Sequence, residues 1–224
     1  MSMYFEALTE KRTATREAAL ISLQEIIRRE VMCDELEDRS VELATLLISS
    51  IKKGNPKEVL LATDVLALMF VALQASCQEV FDLAEEALCG FAKTLKHEAV
   101  KGKILEALAL GSWACGQDPS DASVLMASIE SHMLAPKATN LVIQPALRAW
   151  ALVASSLPDA FIFDRIRRLL SVLDAGSCSL LEHEHVDVRV AAAEAASVLY
   201  EACWRYDPHQ AKKVLQIVIP RKKR

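Results

Sequence analysis

One segment of the chain concentrates side chains that could ligate a metal ion. It runs Glu182-His183-Glu184-His185, with Asp187 two residues later and Cys178 shortly before. A closed zinc site needs about four such groups converging on one point, and the alternate spacing suits a strand better than a helix. The other interpretation is a polar loop entering a helix, with Asp187 favourable near the positive N-terminus. We therefore expect no metal and no other cofactor.

The chain carries none of the common sequence patterns of catalysis. It lacks GxSxG, a P-loop, GxGxxG after a strand and HExxH. Serines and acidic residues are plentiful, but on solvated helix faces they indicate little by residue type alone. We therefore expect a protein that is not an enzyme and has no small-molecule substrate.

Basic residues are the stronger candidates for a binding role. They occur in groups, and several groups fall at predicted turns between paired helices, so that stacking would align them along one edge. Such an edge could bind RNA phosphates by counterion release. Alternatively it is only a solvated rim, because aromatic residues make up 5% of the chain. The groups are Lys11-Arg12 with Arg16, Arg28-Arg29, Lys52-Lys53 with Lys57, Lys93-Lys96 with Lys101 and Lys103, and Arg165-Arg167-Arg168.

The basic C-terminus contrasts with an acidic body. Residues 1–207 contain 20 basic and 30 acidic residues, whereas the short segment 220–224 ends in four consecutive cations. This tail resembles a nuclear localisation signal or an anchor for a polyanion, and it could equally be a solubilising end. Our candidate contact residues are Lys11, Arg12, Lys52, Lys53, Lys57, Arg221, Lys222, Lys223 and Arg224.

The elements that position these residues are predicted to be helices. The 224 residues include 33 Ala and 31 Leu, both strong helix formers, but only 6 Gly and 7 Pro. The longest uncharged stretch, Val65 to Gln78, is shorter than the ~18 residues that cross a bilayer. The N-terminus has no basic leader and no apolar signal core, so we expect an intracellular protein without a membrane partner.

Self-similarity at a period of about 40 to 47 residues is typical of stacked helix pairs. Here five alanines occupy comparable places in five apolar helical segments, at spacings of 43, 45, 42 and 43 residues. A small residue at this place lets neighbouring helices approach closely. We predict an all-α fold, a right-handed α-solenoid of armadillo or HEAT type with about four to five repeats in a single domain, residues 1–219. The alanines are Ala19, Ala62, Ala107, Ala149 and Ala192.

A second pattern supports the same architecture. In HEAT and armadillo repeats an acid and an arginine precede a helix of small residues, as Asp187-Val188-Arg189 does here. Arg16 stands three residues before Ala19, just as Arg189 stands three residues before Ala192. The two arginines are therefore expected to hold equivalent positions in the first and last repeats.

Three tryptophans and two nearly uncharged helices bear on the protein's surface. Trp113, Trp150 and Trp204 fall on the second helices of their pairs, without the asparagine ladder of importin-type proteins, so we expect them to pack in the core. The helices 104–117 and 141–157 carry one charge each. They are either enclosed on nearly all sides or leave an apolar strip on the inner face of the array. The six cysteines form no CxxC and are expected to be small apolar residues in a reducing compartment.

Two stretches resemble a known family. Residues 7–20 read ALTEKRTATREAAL, which resembles the L-x-E-K-R-x-x-T-R-E-x-A-L run that opens the repeat domain of interferon-related developmental regulators. The stretch from Leu46 through Lys52-Lys53-Gly54 to Ala62 is similar to that family's basic Lys-Gly turn and following alanine-rich helix. Weaker resemblance continues through Ala149-Trp150 and residues 187–199.

The resemblance implies a regulatory binding protein. The family is associated with transcriptional co-regulation and, for part of it, with ribosome binding and translational silencing, and its members typically carry a further C-terminal domain. We favour a scaffold that holds a co-regulator helix on its inner face. The alternative is a ribosome or rRNA binder that uses the basic edge and tail. The expected partners are thus proteins of a regulatory complex, or the ribosome or RNA, in the cytoplasm or nucleus.

Overall fold

The computed structural model describes residues 2–29, 33–174, 179–209 and 211–212. These residues form α-helices joined by short links, with no β-strand among them, so the predicted all-α class is confirmed. Cys178 and the tail residues Arg221, Lys222, Lys223 and Arg224 lie outside the described residues. The helices of the described part are α1 (Ser2–Thr9), α2 (Thr13–Arg29), α3 (Cys33–Asp38), α4 (Ser40–Lys53), α5 (Pro56–Leu73), α6 (Gln78–Thr94), α7 (Glu98–Cys115), α8 (Pro119–Met133), α9 (Asn140–Ser156), α10 (Asp159–Leu173) and α11 (Val186–Tyr206).

Most of these helices form consecutive pairs in which each helix packs against the next along the chain. The pairs are α1 with α2, α4 with α5, α6 with α7, α8 with α9, and α10 with α11. This is the helical-repeat arrangement that the sequence period predicts. The short helix α3, which packs against α5, was not predicted.

The chain divides into two compact units, of which the first ends at Gln117 and the second begins at Asp118. In the first unit the second helices of the pairs, α2, α5 and α7, pack side by side. The first helices, α1, α4 and α6, contact one another in the same order. In the second unit α9 packs against α11. The single domain over residues 1–219 stays a prediction.

The five repeat alanines all lie on second helices, and all are buried. Ala62 and Ala192 are fully inaccessible, and Ala19 is 5% exposed. A larger side chain would separate helices that pack closely at these places, because protein interiors have no free volume to receive it. The alanine period therefore marks buried positions on the second helices of the pairs.

The link between α4 and α5 shows how local sequence sets the helix ends. The Asn55 side chain accepts a hydrogen bond from the Glu58 backbone N–H at 2.8 Å, and Pro56 occupies the first helical position, where no N–H is needed. Gly54 is required by crowding, because a Cβ there would lie 2.5 Å from the Ser50 carbonyl oxygen. The two helices can therefore meet in a very short turn.

The stretch Pro56–Thr94, which runs through α5 and α6, contains a window long and apolar enough to cross a bilayer by length and composition. Half of that window is buried inside the protein. Core helices of soluble proteins meet the same criterion.

Candidate functional site

Arg16 ties the first helix pair to the second. Its guanidinium donates to both carboxylate oxygens of Glu58, at 2.7 and 2.8 Å, and to the backbone carbonyls of Glu10 and Lys11, at 2.8 and 3.0 Å. The Glu58 side chain is only 1% exposed. The hydrogen bonds to Glu58 raise the pKa of Arg16 above its ordinary value. Arg16 is therefore a structural residue and not a free cation of a binding surface.

Arg189 repeats half of this arrangement in the last pair. Its Nη1 donates to the carbonyls of His183 and Glu184, at 2.8 and 3.0 Å, which are the same offsets of six and five residues that Arg16 uses. The predicted equivalence of the two arginines is therefore seen in the structure. No group of three or more possible metal ligands is found in the described ranges, although the rings of His183 and His185 stack with centroids 5.6 Å apart.

Lys57, one of the candidate contact residues, already has a partner. Its Nζ lies 2.6 Å from Glu17 Oε2, and Asn55 Nδ2 donates to the other oxygen of Glu17 at 3.1 Å. The bond from Lys57, followed by that from Asn55, lowers the pKa of the Glu17 carboxyl. The start of α5 is therefore fixed beside the start of α2.

The contacts between α5 and α7 show that these two helices point in the same direction. Lys103 Nζ lies 3.0 Å from Asp64 Oδ1, and a Cβ at Gly111 would approach Phe70 to 3.0 Å. Because these contacts advance along both helices together, α5 and α7 run parallel. Burial alone would lower the pKa of Lys103, but the hydrogen bond and charge of Asp64, with the charge of Glu106, raise it. The starts of α2, α5 and α7 consequently lie at one end of the first unit.

This end carries a concentration of positive charge, which we call the basic edge. Residues 10–17, 52–58 and 93–101 hold nine basic and four acidic residues, whereas the rest of residues 1–117 holds four basic and fourteen acidic residues. Three of the predicted basic groups therefore lie at the same end of the first unit, and their role in binding stays a prediction. Arg28 and Arg29 do not join it, because they end α2 at the opposite side of the unit.

The candidate residues of the basic edge differ in availability. Lys11 and Arg12 are exposed in the link between α1 and α2, and Lys52 and Lys53 are exposed in the last turn of α4. No ion pair involves these four side chains within the described part of the chain. Lys57 is neutralised locally by Glu17, although it remains exposed.

The expectation that all three tryptophans pack in the core is wrong for two of them. Trp150 is fully buried, and its Nε1 donates to Glu130 at 3.0 Å. Trp113 is 48% exposed at the end of α7, and Trp204 is 41% exposed at the end of α11. The aromatic sequence pattern alone could not separate them, because all three lie on second helices.

In the second unit one of the candidate arginines, Arg168, is already paired with Glu130. Arg168 Nη2 donates to Glu130 Oε2 at 2.5 Å, and Nη1 donates to Oε1 at 3.0 Å. The carboxylate of Glu130 is 10% exposed and joins α8, α9 and α10 through Arg168 and Trp150. Arg168 is therefore already paired, although all three arginines of this group are exposed.

An exposed apolar surface lies on two neighbouring helices of the first unit. Val71 is 43% exposed on α5, and Trp113 is exposed on α7. Leu68 and Leu110, one turn earlier on each helix, are half-buried. All four follow the Asp64–Lys103 pair at helical spacing, so they lie on the same side of the two helices. We call Leu68, Val71, Leu110 and Trp113 the apolar stripe. Its α7 part corresponds to the apolar strip that was one of the two alternatives predicted for the nearly uncharged helix 104–117.

The structure also joins two cysteines that the sequence did not pair. Cys77, in a short 3-10 helix between α5 and α6, forms a disulfide with Cys115 at the end of α7, with Cα atoms 5.7 Å apart. The expectation of simple apolar packing is therefore incomplete for these two residues. Cys89 and Cys203 are free, and burial raises the pKa of both thiols.

Comparison with known proteins agrees with this architecture. The structure is similar to a crystal structure of an engineered protein from the Northeast Structural Genomics Consortium, with a TM-score of 0.63 and 17% identity over 98% of this chain and 89% of that one. This likeness supports the helical-repeat fold alone.

Sequence comparison reaches further. The chain is 30% identical over 223 residues to Interferon-related developmental regulator 2 of Mus musculus. The aligned region covers 88% of this chain and 47% of the relative. The chain thus spans about half the length of that relative. The model of the interferon-related developmental regulator family matches residues 1–214. With a match of this extent, the chain belongs to the interferon-related developmental regulator family.

Proposed function

We propose that this protein is a non-catalytic regulator of gene expression that acts by binding a helix of a partner protein. Membership of a family of developmental regulators supports the regulatory role. The observation that carries the mode of action is the apolar stripe, where Trp113 and Val71 are exposed on adjacent parallel helices. A folded domain in which a tryptophan is about half exposed forgoes part of the stabilisation that burial of this side chain would give.

The stripe has the form that a partner helix requires. On each helix two apolar side chains stand three residues apart, and between two parallel helices such rows border a groove that accepts the ridge of a third helix. Tryptophan is also among the side chains that most often dominate the energy of protein interfaces. Trp113 is therefore the expected anchor of the contact.

The charges beside the stripe indicate which helix would bind. Asp64 and Glu106 both pair with Lys103, at 3.0 and 3.3 Å, so one negative charge remains in excess. An apolar helix flanked by lysine or arginine would complement this border, and an acidic helix would be repelled. The proposed partner segment is thus an amphipathic helix with basic flanks.

A labelled synthetic peptide tests this proposal. The probe is an amphipathic helix of about 18 residues with a leucine face and lysine flanks, compared with the same helix carrying glutamate flanks. Trp113→Ala should weaken binding of the basic probe by about tenfold or more, as removal of an interface anchor does. Leu83→Ser is the matched control, because Leu83 is 42% exposed on α6, a helix of the same unit that carries no residue of the stripe. Equal affinity of wild type and Trp113→Ala would contradict the proposal.

The basic edge favours a second candidate function, binding to the ribosome or to RNA. Lys11, Arg12, Lys52 and Lys53 are exposed at an end of the unit where cations outnumber acids by nine to four. Each phosphate contact would release counterions, so the affinity would fall as salt rises.

Charge reversal at the two ends of one unit tests the second candidate. Lys52→Glu with Lys53→Glu should weaken binding of purified ribosomes, or of a single-stranded RNA, and lower the salt slope by about one for each phosphate that is no longer neutralised. Arg28→Glu with Arg29→Glu makes the same charge change at the opposite end of α2 and should have little effect. If both double variants weaken binding equally, the basic edge is not the RNA site.

A further inference from the structure

We propose that Cys77 and Cys115 form a redox latch, which joins the 3-10 turn after α5 to the end of α7 when oxidised and releases it when reduced. The two residues are 38 positions apart in sequence, yet their Cα atoms are 5.7 Å apart, which is within the usual range for a disulfide. Intracellular disulfides are usually transient or redox-sensing. In the reducing compartment that the sequence predicts, this bond would open and close with the thiol pool.

The two sulfurs differ in their access to that pool. Cys77 is fully buried, whereas Cys115 is half-buried at the last residue of α7. Only Cys115 can therefore meet a bulky oxidant first, and Cys77 acts as the resolving thiol behind it. A protected thiol beside an accessible one is the arrangement that turns a single oxidation event into an internal bond.

The chemistry balances with oxidised glutathione as the two-electron oxidant. The Cys115 thiolate attacks one sulfur of glutathione disulfide, which forms a mixed disulfide and releases one glutathione thiolate. The Cys77 thiolate then attacks the Cys115 sulfur, and the second glutathione leaves. Two cysteine thiols are oxidised to one disulfide, one glutathione disulfide is reduced to two thiols, and the cysteine protons pass to the departing thiolates.

The latch lies beside the proposed binding surface. Cys115 follows Trp113 by two residues, and Cys77 follows Val71 by six, so the bond ties the turn that follows Val71 to the helix end that carries Trp113. Gln74, which lies between Val71 and Cys77 in sequence, adopts a φ of 48°. Non-glycine residues rarely take this backbone conformation without support. Any effect of the latch on partner binding rests on the proposed function, but the redox chemistry itself does not.

Titration of the full chain with glutathione at varied redox ratio tests the order of events. Peptide mass spectrometry should find the Cys77–Cys115 bond in the wild type, and a stable glutathione adduct on Cys115 in Cys77→Ser. Cys115→Ser should leave Cys77 unmodified, because that thiol is buried. Cys89→Ser is the matched control and should form the bond as the wild type does. Absence of the bond under oxidising conditions, or an equal adduct on Cys77, would overturn the latch.

Hydrogen exchange of the same samples tests the structural effect without a partner. Residues 71–77 and 111–117 should exchange about tenfold faster in the reduced wild type than in the oxidised form, and Cys77→Ser should match the reduced form in either buffer. Equal exchange in both redox states would overturn the latch. If exchange changes but the basic probe helix binds neither form, the latch stands and the proposed function fails.

Discussion

At the scale of single residues, two buried carboxylates hold their units together. Glu58 and Glu130 are each met by an arginine from a different helix, Arg16 and Arg168, with bonds between 2.5 and 3.0 Å. Taking a carboxylate out of water costs several kcal/mol unless it is paired, and the two arginines supply that pairing from a neighbouring helix. Either partner alone would be unfavourable.

Neutralising a buried acid is therefore expected to cost far more than neutralising an exposed one. Glu58→Gln leaves the guanidinium of Arg16 without its carboxylate and should lower the free energy of unfolding by about 2 kcal/mol or more. Glu42→Gln, in the exposed pair with Arg39, should change it by less than about 0.5 kcal/mol. Urea unfolding of both variants measures the difference. Similar small losses in both would show that the Arg16 contact is dispensable.

The ion pair between Asp159 and Arg205 predicts a dependence on pH. The hydrogen bond from Arg205 lowers the pKa of Asp159 in the folded protein. The pair's contribution is then present above the unfolded value of about 3.9 and is lost as the pH falls through the lower folded value. Asp159→Asn should therefore lower the melting temperature at neutral pH and have a smaller effect near pH 3. An equal effect at both pH values would contradict this assignment.

At the scale of the helices, the sequence predicted what depends on spacing and missed what depends on contacts. The alanine period located the second helices, and the matched arginines located the turns at both ends of the array. The exposure of Trp113 and the Cys77–Cys115 bond could not be predicted, because each depends on which side of a helix its neighbours cover. Contacts between residues about 40 positions apart can be predicted only when the stacking register of the helices is known.

Close packing of α5 and α6 against α7 gives a prediction at this scale. A Cβ at Gly111 would overlap the buried ring of Phe81 and crowd Phe70, whereas a Cβ at Gly90 would meet nothing within 4 Å. Alanine favours a helix by about 1 kcal/mol over glycine, but overpacking a core costs about 1–3 kcal/mol. Gly111→Ala should therefore destabilise the protein, and Gly90→Ala should stabilise it slightly. Thermal unfolding of the two variants compares them, and a shift of the same sign in both would contradict the packing argument.

At the scale of the whole molecule, the first unit presents two surfaces of different chemistry. The basic edge gathers cations at one end, whereas the apolar stripe lies where acidic residues predominate beyond that edge. These surfaces would bind different partners with different responses to salt, because apolar contacts are insensitive to screening and phosphate contacts are not. Family membership supports the proposed regulatory role, and the two surfaces correspond to its two proposed modes of binding.

Sedimentation of the tagged full chain from cells through a sucrose gradient distinguishes binding through the apolar stripe from binding through the basic edge. If the apolar stripe binds the partner, the protein should migrate in a complex that persists as salt rises from about 0.1 to 0.5 M. Trp113→Ala should return it to the position of the free chain, and Lys52→Glu with Lys53→Glu should not. If the complex instead dissociates with salt and in the double lysine variant, while Trp113→Ala sediments like the wild type, the apolar stripe is not the binding surface.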